Sequence, residues 1–328
     1  MNANCSEIDI LTWNNSMKLH KEIFSPVLAY VSMCISIFGT ATNCLVTIIL
    51  AFKFKRNSST TYILNLSMAD TFFLLCLTIL DIIHVFLDMI PLSDPIQIIN
   101  VIFAFSFICI FGYNASLCIL TAFSVERCLS VLYPIWYHCK RPQHLSAVMC
   151  CIIWIFTSLF TVLEFLFCYR VEYKLQYQQE MCDAECKVFF VIICCINFII
   201  FTPFMTLSSL ILLIKIWSNS KRQQPPKLYI VVTLSVFFFL VFGIPMRILL
   251  LIWYRHQSMP PFPITNLVCL FGVLYSSINP FIYYFVGRKG TDVKKLNFLV
   301  ILRGAFHEER SQCKRNQKNE IISTGTIM

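Results

Sequence analysis

Charge is what this chain has least of. Asp, Glu, Lys and Arg make up 13% of its 328 residues, whereas hydrophobic residues make up 58% and Phe alone occurs 31 times. A water-soluble domain of this length carries about 25% charged residues. So little charge cannot wet a whole surface, which excludes an ordinary soluble enzyme or nucleic-acid-binding domain. Catalytic and metal patterns are missing as well. There is no HExxH, no GxSxG and no zinc spacing of paired CxxC units among the 17 cysteines. No short cleavable signal precedes the first apolar run, so that run is expected to serve as the insertion signal.

What the chain does have is apolar blocks, at 26–52, 61–87, 97–125, 145–168, 188–214, 228–253 and 263–286. Each supplies the roughly 20 apolar residues needed to cross a hydrocarbon core of about 30 Å. The blocks are too long, and too free of period-two alternation, for barrel strands. Pro134 and Pro142, Pro225 and Pro226, and Pro260, Pro261 and Pro263 punctuate the gaps. The expected fold is an all-α membrane protein, a seven-transmembrane helix bundle with no soluble domain longer than a loop or tail.

Lys and Arg set the orientation. Lys53, Lys55 and Arg56, then Lys140 and Arg141, then Lys215, Lys221, Arg222 and Lys227 fall on one side, joined by the basic run from Arg288 to Lys318. The opposite side holds fewer bases, so the positive-inside rule puts the amino terminus outside and the tail in the cytosol. The net charge of +9 then reads as a cytosolic bias toward anionic lipid, with no nucleic acid implied. The sequons at Asn4 and Asn14 suit an extracellular segment 1–25, though three more, at Asn57, Asn65 and Asn114, show how readily chance supplies them. Most cysteines lie in apolar blocks as small fillers. Cys5, Cys168, Cys182 and Cys186 lie on the outer side, where Cys168–Cys186, Cys182–Cys186 and Cys5–Cys182 are all open pairings.

An ionisable group at mid-membrane costs about 3 kcal/mol or more and marks function by default. Asp70 is the clearest case. Alone it reads equally as a structural acid or an ion site. Asn43, Ser116 and Asn279-Pro280 give it company, because helices bundled in order would bring them toward it.

These residues carry a resemblance. Asn43 in the first block, Asp70 after Leu66-Ser67-Met68-Ala69, and Glu126-Arg127-Cys128 closing the third form its first half. Trp154, Pro203, Pro245 and Asn279-Pro280-Phe281-Ile282-Tyr283 complete it. One signature per helix, in order, resembles the rhodopsin-like G-protein-coupled receptors over residues 26–304. The stretch 288–304 resembles their amphipathic, membrane-surface eighth helix, which leaves 26–287 as the bundle and 305–328 as a disordered cytoplasmic tail. Gly243 stands in place of the usual sixth-helix aromatic, Ile102 in place of the third-helix cysteine, and Cys109 in place of the amine-binding aspartate. With the stretches 201–205, 242–247 and 276–287, these departures resemble the Mas-related receptors.

The resemblance implies a plasma-membrane receptor and no enzyme, a two-state switch driven by an extracellular ligand. It implies sodium at Asp70 with Ser116 and Asn279 as the only bound ion and no other cofactor, and a moving segment at Asn279, Pro280 and Tyr283. Arg127 would release Glu126 to meet a heterotrimeric G protein flanked by Pro134, with Pro203 and Pro245 as hinges. The sixth-helix acid that restrains Arg127 elsewhere is replaced by Pro225, so a leaky resting state is expected. The Mas-related pattern implies a Cys168–Cys186 disulfide joining helices four and five. It also implies a small peptide or cationic amine-type amphiphile as ligand, held by Glu164 and Arg247 over Gly243, with Asp81 and His84 at the rim. Val191 stands where cation-binding members add a second acid, and Glu164 with Arg247 reads alternatively as a structural pair. In the tail, Ser323, Thr324 and Thr326 suit phosphorylation and arrestin, Thr326-Ile327-Met328 suits a PDZ protein, and Cys313 suits palmitoylation. The competing classes are a receptor signalling mainly by basal activity and a transporter or channel. Against the latter stand the odd helix count, the lack of a repeat and the absence of further mid-membrane acids.

Overall fold

The computed structural model describes residues 25–89, 95–174, 188, 191–192, 195–219, 227–246, 248–249, 262–288 and 301–302. Seven helices among them are long and apolar enough to cross a membrane. They are α1 (Ser25–Lys53), α2 (Ser58–Met89), α3 (Pro95–Leu132), α4 (Leu145–Lys174), α5 (Thr202–Asn219, its span entered from Phe198), α6 (Lys227–Met246, opening as the α-helix Lys227–Phe238) and α7 (Phe262–Arg288). No strand occurs among the described residues. In lipid every backbone N–H and C=O must be satisfied within the segment, and a helix does this without a partner strand.

Local chemistry sets the helix ends. Asn57 caps α2: its side-chain oxygen accepts from the Thr60 N–H at 2.8 Å, and the Thr60 hydroxyl accepts from the Asn57 N–H at 2.8 Å. This reciprocal pair satisfies donors the first helical turn leaves open. Pro134 opens a short helix, Pro134–Cys139, between α3 and α4, where a missing N–H does no harm. The third helix runs to Leu132, well past the end of its apolar block at 125, because Glu126 and Arg127 find buried polar partners instead of ending the span.

Two wide turns lie in the spans. Asn197–Phe201 precedes α5 and Phe239–Gly243 continues α6, each a five-residue π turn. Pro203 and Pro245 follow them directly. A proline has no N–H to return to the carbonyl four residues back, so the helix loosens just before it. In α6 the Ile244 N–H reaches back five residues to the Phe239 carbonyl.

The third helix is the central pillar. In its most apolar stretch 72% of the residues are buried, against 28% in α1 and 22% in α5. The outer faces carry Phe52, Ile155, Ile199, Leu207 and Trp217, all exposed, which suits contact with lipid tails. Helices α2 and α3 come closest at Gly112, where a Cβ would stand 2.9 Å from the Phe73 nitrogen. Only a residue without a side chain fits there.

Of the expected eighth helix, only Ile301 and Leu302 are described. Both are buried, and the Ile301 carbonyl lies against Gly287 at the end of α7. The rest of 288–304 beyond Arg288 lies outside the described residues. So do Asn4, Asn14, Cys186, Pro225 and the tail with Cys313, Ser323, Thr324 and Thr326.

Candidate functional site

Three polar stations lie along the inside of the bundle. The first joins α2, α3 and α7. Asp70 is fully buried; one carboxylate oxygen accepts from the Ser116 hydroxyl at 2.8 Å and the other from the Asn279 amide at 2.8 Å. Ser116 gives its single proton to Asp70, so the 2.9 Å contact with Tyr275 has the tyrosine hydroxyl donating. Asn43 on α1 donates to the carbonyls of Gly39 at 3.0 Å and Ser276 at 3.1 Å, which ties α1 to α7. Pro280 lies inside α7 and Tyr283 is buried one turn on from Asn279.

Several buried oxygens on the helices that meet there, α1, α2 and α7, have no hydrogen-bond partner among the described residues: Asn43 Oδ1, Ser67 Oγ and Asn279 Oδ1. An all-oxygen donor set of this kind suits a hard cation such as sodium. The residues present therefore fit the ion that the sequence reading placed at Asp70.

The second station closes the far end of α3. Glu126 and Arg127 are both buried, with Arg127 Nη2 3.3 Å from Glu126 Oε1. The same carboxylate oxygen receives Arg141 at 2.8 Å, the Tyr137 hydroxyl at 3.0 Å and the Ser58 hydroxyl. Ser146 donates to the other oxygen at 3.3 Å. Both guanidiniums also approach the Tyr137 ring, Arg127 at 5.4 Å and Arg141 at 5.0 Å from its centre. One carboxylate thus serves two arginines across α2, α3, the short helix and α4. The sequence reading found Glu126 and Arg127 but took Arg141 for a lipid-facing basic marker, and it passed over Tyr137, Ser58 and Ser146. Pro134 is exposed, next to exposed Tyr133 and Ile135.

The third station lies toward the other end. Glu164 on α4 is only 2% exposed. Asp81 on α2 is half-buried, and its Oδ2 has no hydrogen-bond partner among the described residues. Gly243 is buried, and the Phe239 ring fills the space above its Cα: a Cβ there would meet that ring at 2.6 Å. The volume of the missing aromatic is thus taken by a neighbour on the same helix. Tyr113, another residue the sequence reading missed, donates to the Gly243 carbonyl at 3.0 Å. His84 and Cys168 lie in helices, but their side chains are outside the described set, as is Arg247 altogether. Neither the Glu164–Arg247 pairing nor the Cys168–Cys186 bridge can be placed among the described residues.

Residues 42–283 match the family of 7 transmembrane receptors (rhodopsin family). The chain is 36% identical to Proto-oncogene Mas of Rattus norvegicus over 303 residues, which covers 92% of this chain and 90% of that protein. It is 38% identical to Mas-related G-protein coupled receptor member H of the same species over 296 residues, covering 89% and 86%. Member D from that species is 35% identical over 288 residues, covering 85% and 86%.

Proposed function

We propose that this chain, which belongs to the rhodopsin family of seven-transmembrane receptors and to its Mas-related branch, converts binding of an extracellular small peptide or cationic amphiphile into heterotrimeric G-protein activation. It is a multi-pass plasma-membrane receptor and not an enzyme. The observation that carries the proposal is the junction at Asp70, where single hydrogen bonds from Ser116 and Asn279 hold α2, α3 and α7 together around a buried charge site. A few such bonds, each worth about 1 kcal/mol net, make a bistable element rather than a rigid one.

In this reading the amino terminus is extracellular, as the Lys and Arg asymmetry favours. Asp70, Ser116 and Asn279 hold sodium in the resting receptor, and the ion supplies a positive charge that keeps α7 against α2. Ligand binding near Glu164 and Asp81 favours a second state in which Asn279, Pro280 and Tyr283 shift and Arg127 leaves Glu126. Arg127 then meets the G protein, with exposed Tyr133, Pro134 and Ile135 beside it. Glu164 supports a cationic ligand because an acid buried on the inner wall of the bundle favours cations nearby. Arrestin and a PDZ protein remain proposed partners of the tail.

The test is nucleotide exchange on G proteins in receptor-containing membranes challenged with cationic peptide and amine pools. Ligand-dependent exchange without an ion current supports a receptor; a current that survives G-protein blockade reverses the reading. Glu164→Lys, expressed at the surface, should lose most of its response to a cationic agonist. Unchanged potency removes the ligand from this wall.

A further inference from the structure

The crossing of α2 and α3 has a chemical consequence. The two helices run antiparallel and touch backbone to side-chain-free backbone where Gly112 meets Phe73. Three residues further along α2 stands Cys76; three residues back along α3 stands Cys109. On antiparallel helices those offsets bring residues one turn from the crossing face to face. That register sets the two thiols toward each other, and Cys109 Sγ reaches across to α2 at the Phe73 carbonyl, 3.9 Å away. Both cysteines are free thiols, 5% and 6% exposed, and both belong to the same packed core. No step of the proposed signalling uses either sulfur.

We propose that Cys76 and Cys109 form a redox pair, closed into a disulfide by hydrogen peroxide or a related hydroperoxide and reopened by small thiols, which staples α2 to α3 at their crossing. One thiol loses its proton and its sulfur attacks the peroxide. The O–O bond breaks, one oxygen stays on sulfur as a sulfenic acid, and the other takes up a proton and leaves as water. The second sulfur then attacks the sulfenic sulfur, the S–O bond breaks, and a second water leaves with the second thiol's proton. Two thiols and one peroxide give one disulfide and two waters; the sulfurs together lose the two electrons that the peroxide gains. Reduction by a dithiol runs through a mixed disulfide and restores both thiols. A third thiol, Cys269 on α7, lies near Cys109 and is the competing partner. The Gly112 crossing favours Cys76, because it fixes those two helices at contact distance, whereas α7 belongs to the segment that shifts.

The test uses the full-length receptor in membranes. After peroxide treatment, remaining free thiols are alkylated and peptides are mapped by mass. The expected result is a cross-linked Cys76–Cys109 peptide that dithiothreitol abolishes, with joint loss of alkylation at both residues and an upward shift in unfolding temperature. In Cys76→Ser the cross-link should vanish, while Cys109 becomes reactive to dimedone as a sulfenic acid. Cys76→Ala provides the same comparison if the serine variant is not recovered. Full alkylation of both thiols after oxidation, or a Cys109–Cys269 peptide in their place, overturns the assignment. Because the readout is chemical and needs no ligand, its failure leaves the receptor reading untouched.

Discussion

The Tyr113 hydroxyl donates a 3.0 Å hydrogen bond to the Gly243 carbonyl, joining the middle of the central helix α3 to the wide turn of α6. Around it the packing is aromatic. The Phe239 ring meets Tyr275 edge-on at 5.4 Å, Tyr275 meets Tyr113 at 6.1 Å, and Tyr275 reaches Asp70 through Ser116. Among the described residues, this bond and these three rings tie the sixth helix to the polar centre.

Tyr113→Phe keeps the rings and removes only that bond. With a net value of about 1 kcal/mol, its loss is expected to raise basal nucleotide exchange by up to roughly five-fold. Exchange equal to wild type at matched surface expression would show that the bond does not restrain α6.

Gly243→Ala is expected to destabilise the receptor by about 1–3 kcal/mol, because the new methyl collides with the Phe239 ring. Phe239→Ala alone leaves a cavity. The double variant should be more stable than the sum of the two single effects, since each change relieves the fault of the other. Thermal unfolding of the four proteins in detergent measures this; strict additivity would mean that the ring simply moves aside.

Arg141→Ala leaves Glu126 with one arginine in place of two. Arg141 competes with Arg127 for the same Glu126 oxygen, so its removal leaves that carboxylate to Arg127 and is expected to lower basal exchange. Arg141→Lys keeps the charge but not the planar fork and should fall between. Glu126→Gln, by contrast, uncovers two buried guanidiniums and should lower stability by about 3–5 kcal/mol. If Arg141→Ala signals like wild type, the α4 contact is structural only.

The parts legible in the sequence were those that lipid makes conspicuous. Seven apolar blocks stood out because a bilayer demands length, and Asp70, Asn43 and Asn279 stood out because polar groups are costly there. The remainder was hidden for equally physical reasons. Arg141 looks like any basic residue at a membrane edge, and only the fold shows it turned inward onto Glu126. Ser58 and Ser146 are ordinary helix-start residues. Tyr113 and Tyr275 are lost among aromatics that make up 15% of the chain. Pro203 and Pro245 marked where α5 and α6 would loosen, but a proline does not say whether the helix kinks or widens.

Sodium is expected to raise the unfolding temperature of the wild-type receptor relative to an organic cation at equal ionic strength, and to have no such effect on Asp70→Asn. The variant keeps an oxygen for Ser116 yet removes the charge that holds the ion. An equal sodium shift in both proteins would make Asp70 a purely structural acid.

The wide turn at Phe239–Gly243 has a consequence for how this receptor can vary. Each helical residue advances by about 100°, so one residue too many in a turn changes the phase of everything above it. A ruler laid along α6 from Lys227 points to the wrong face beyond Gly243; one laid from Pro245 points to the right one. Removing a single residue from 239–243 would leave an ordinary α turn there, with the parts above and below it facing as they do now. The two halves of that helix keep separate registers, so a gain or loss of one residue between them can be absorbed without changing the face that either half presents.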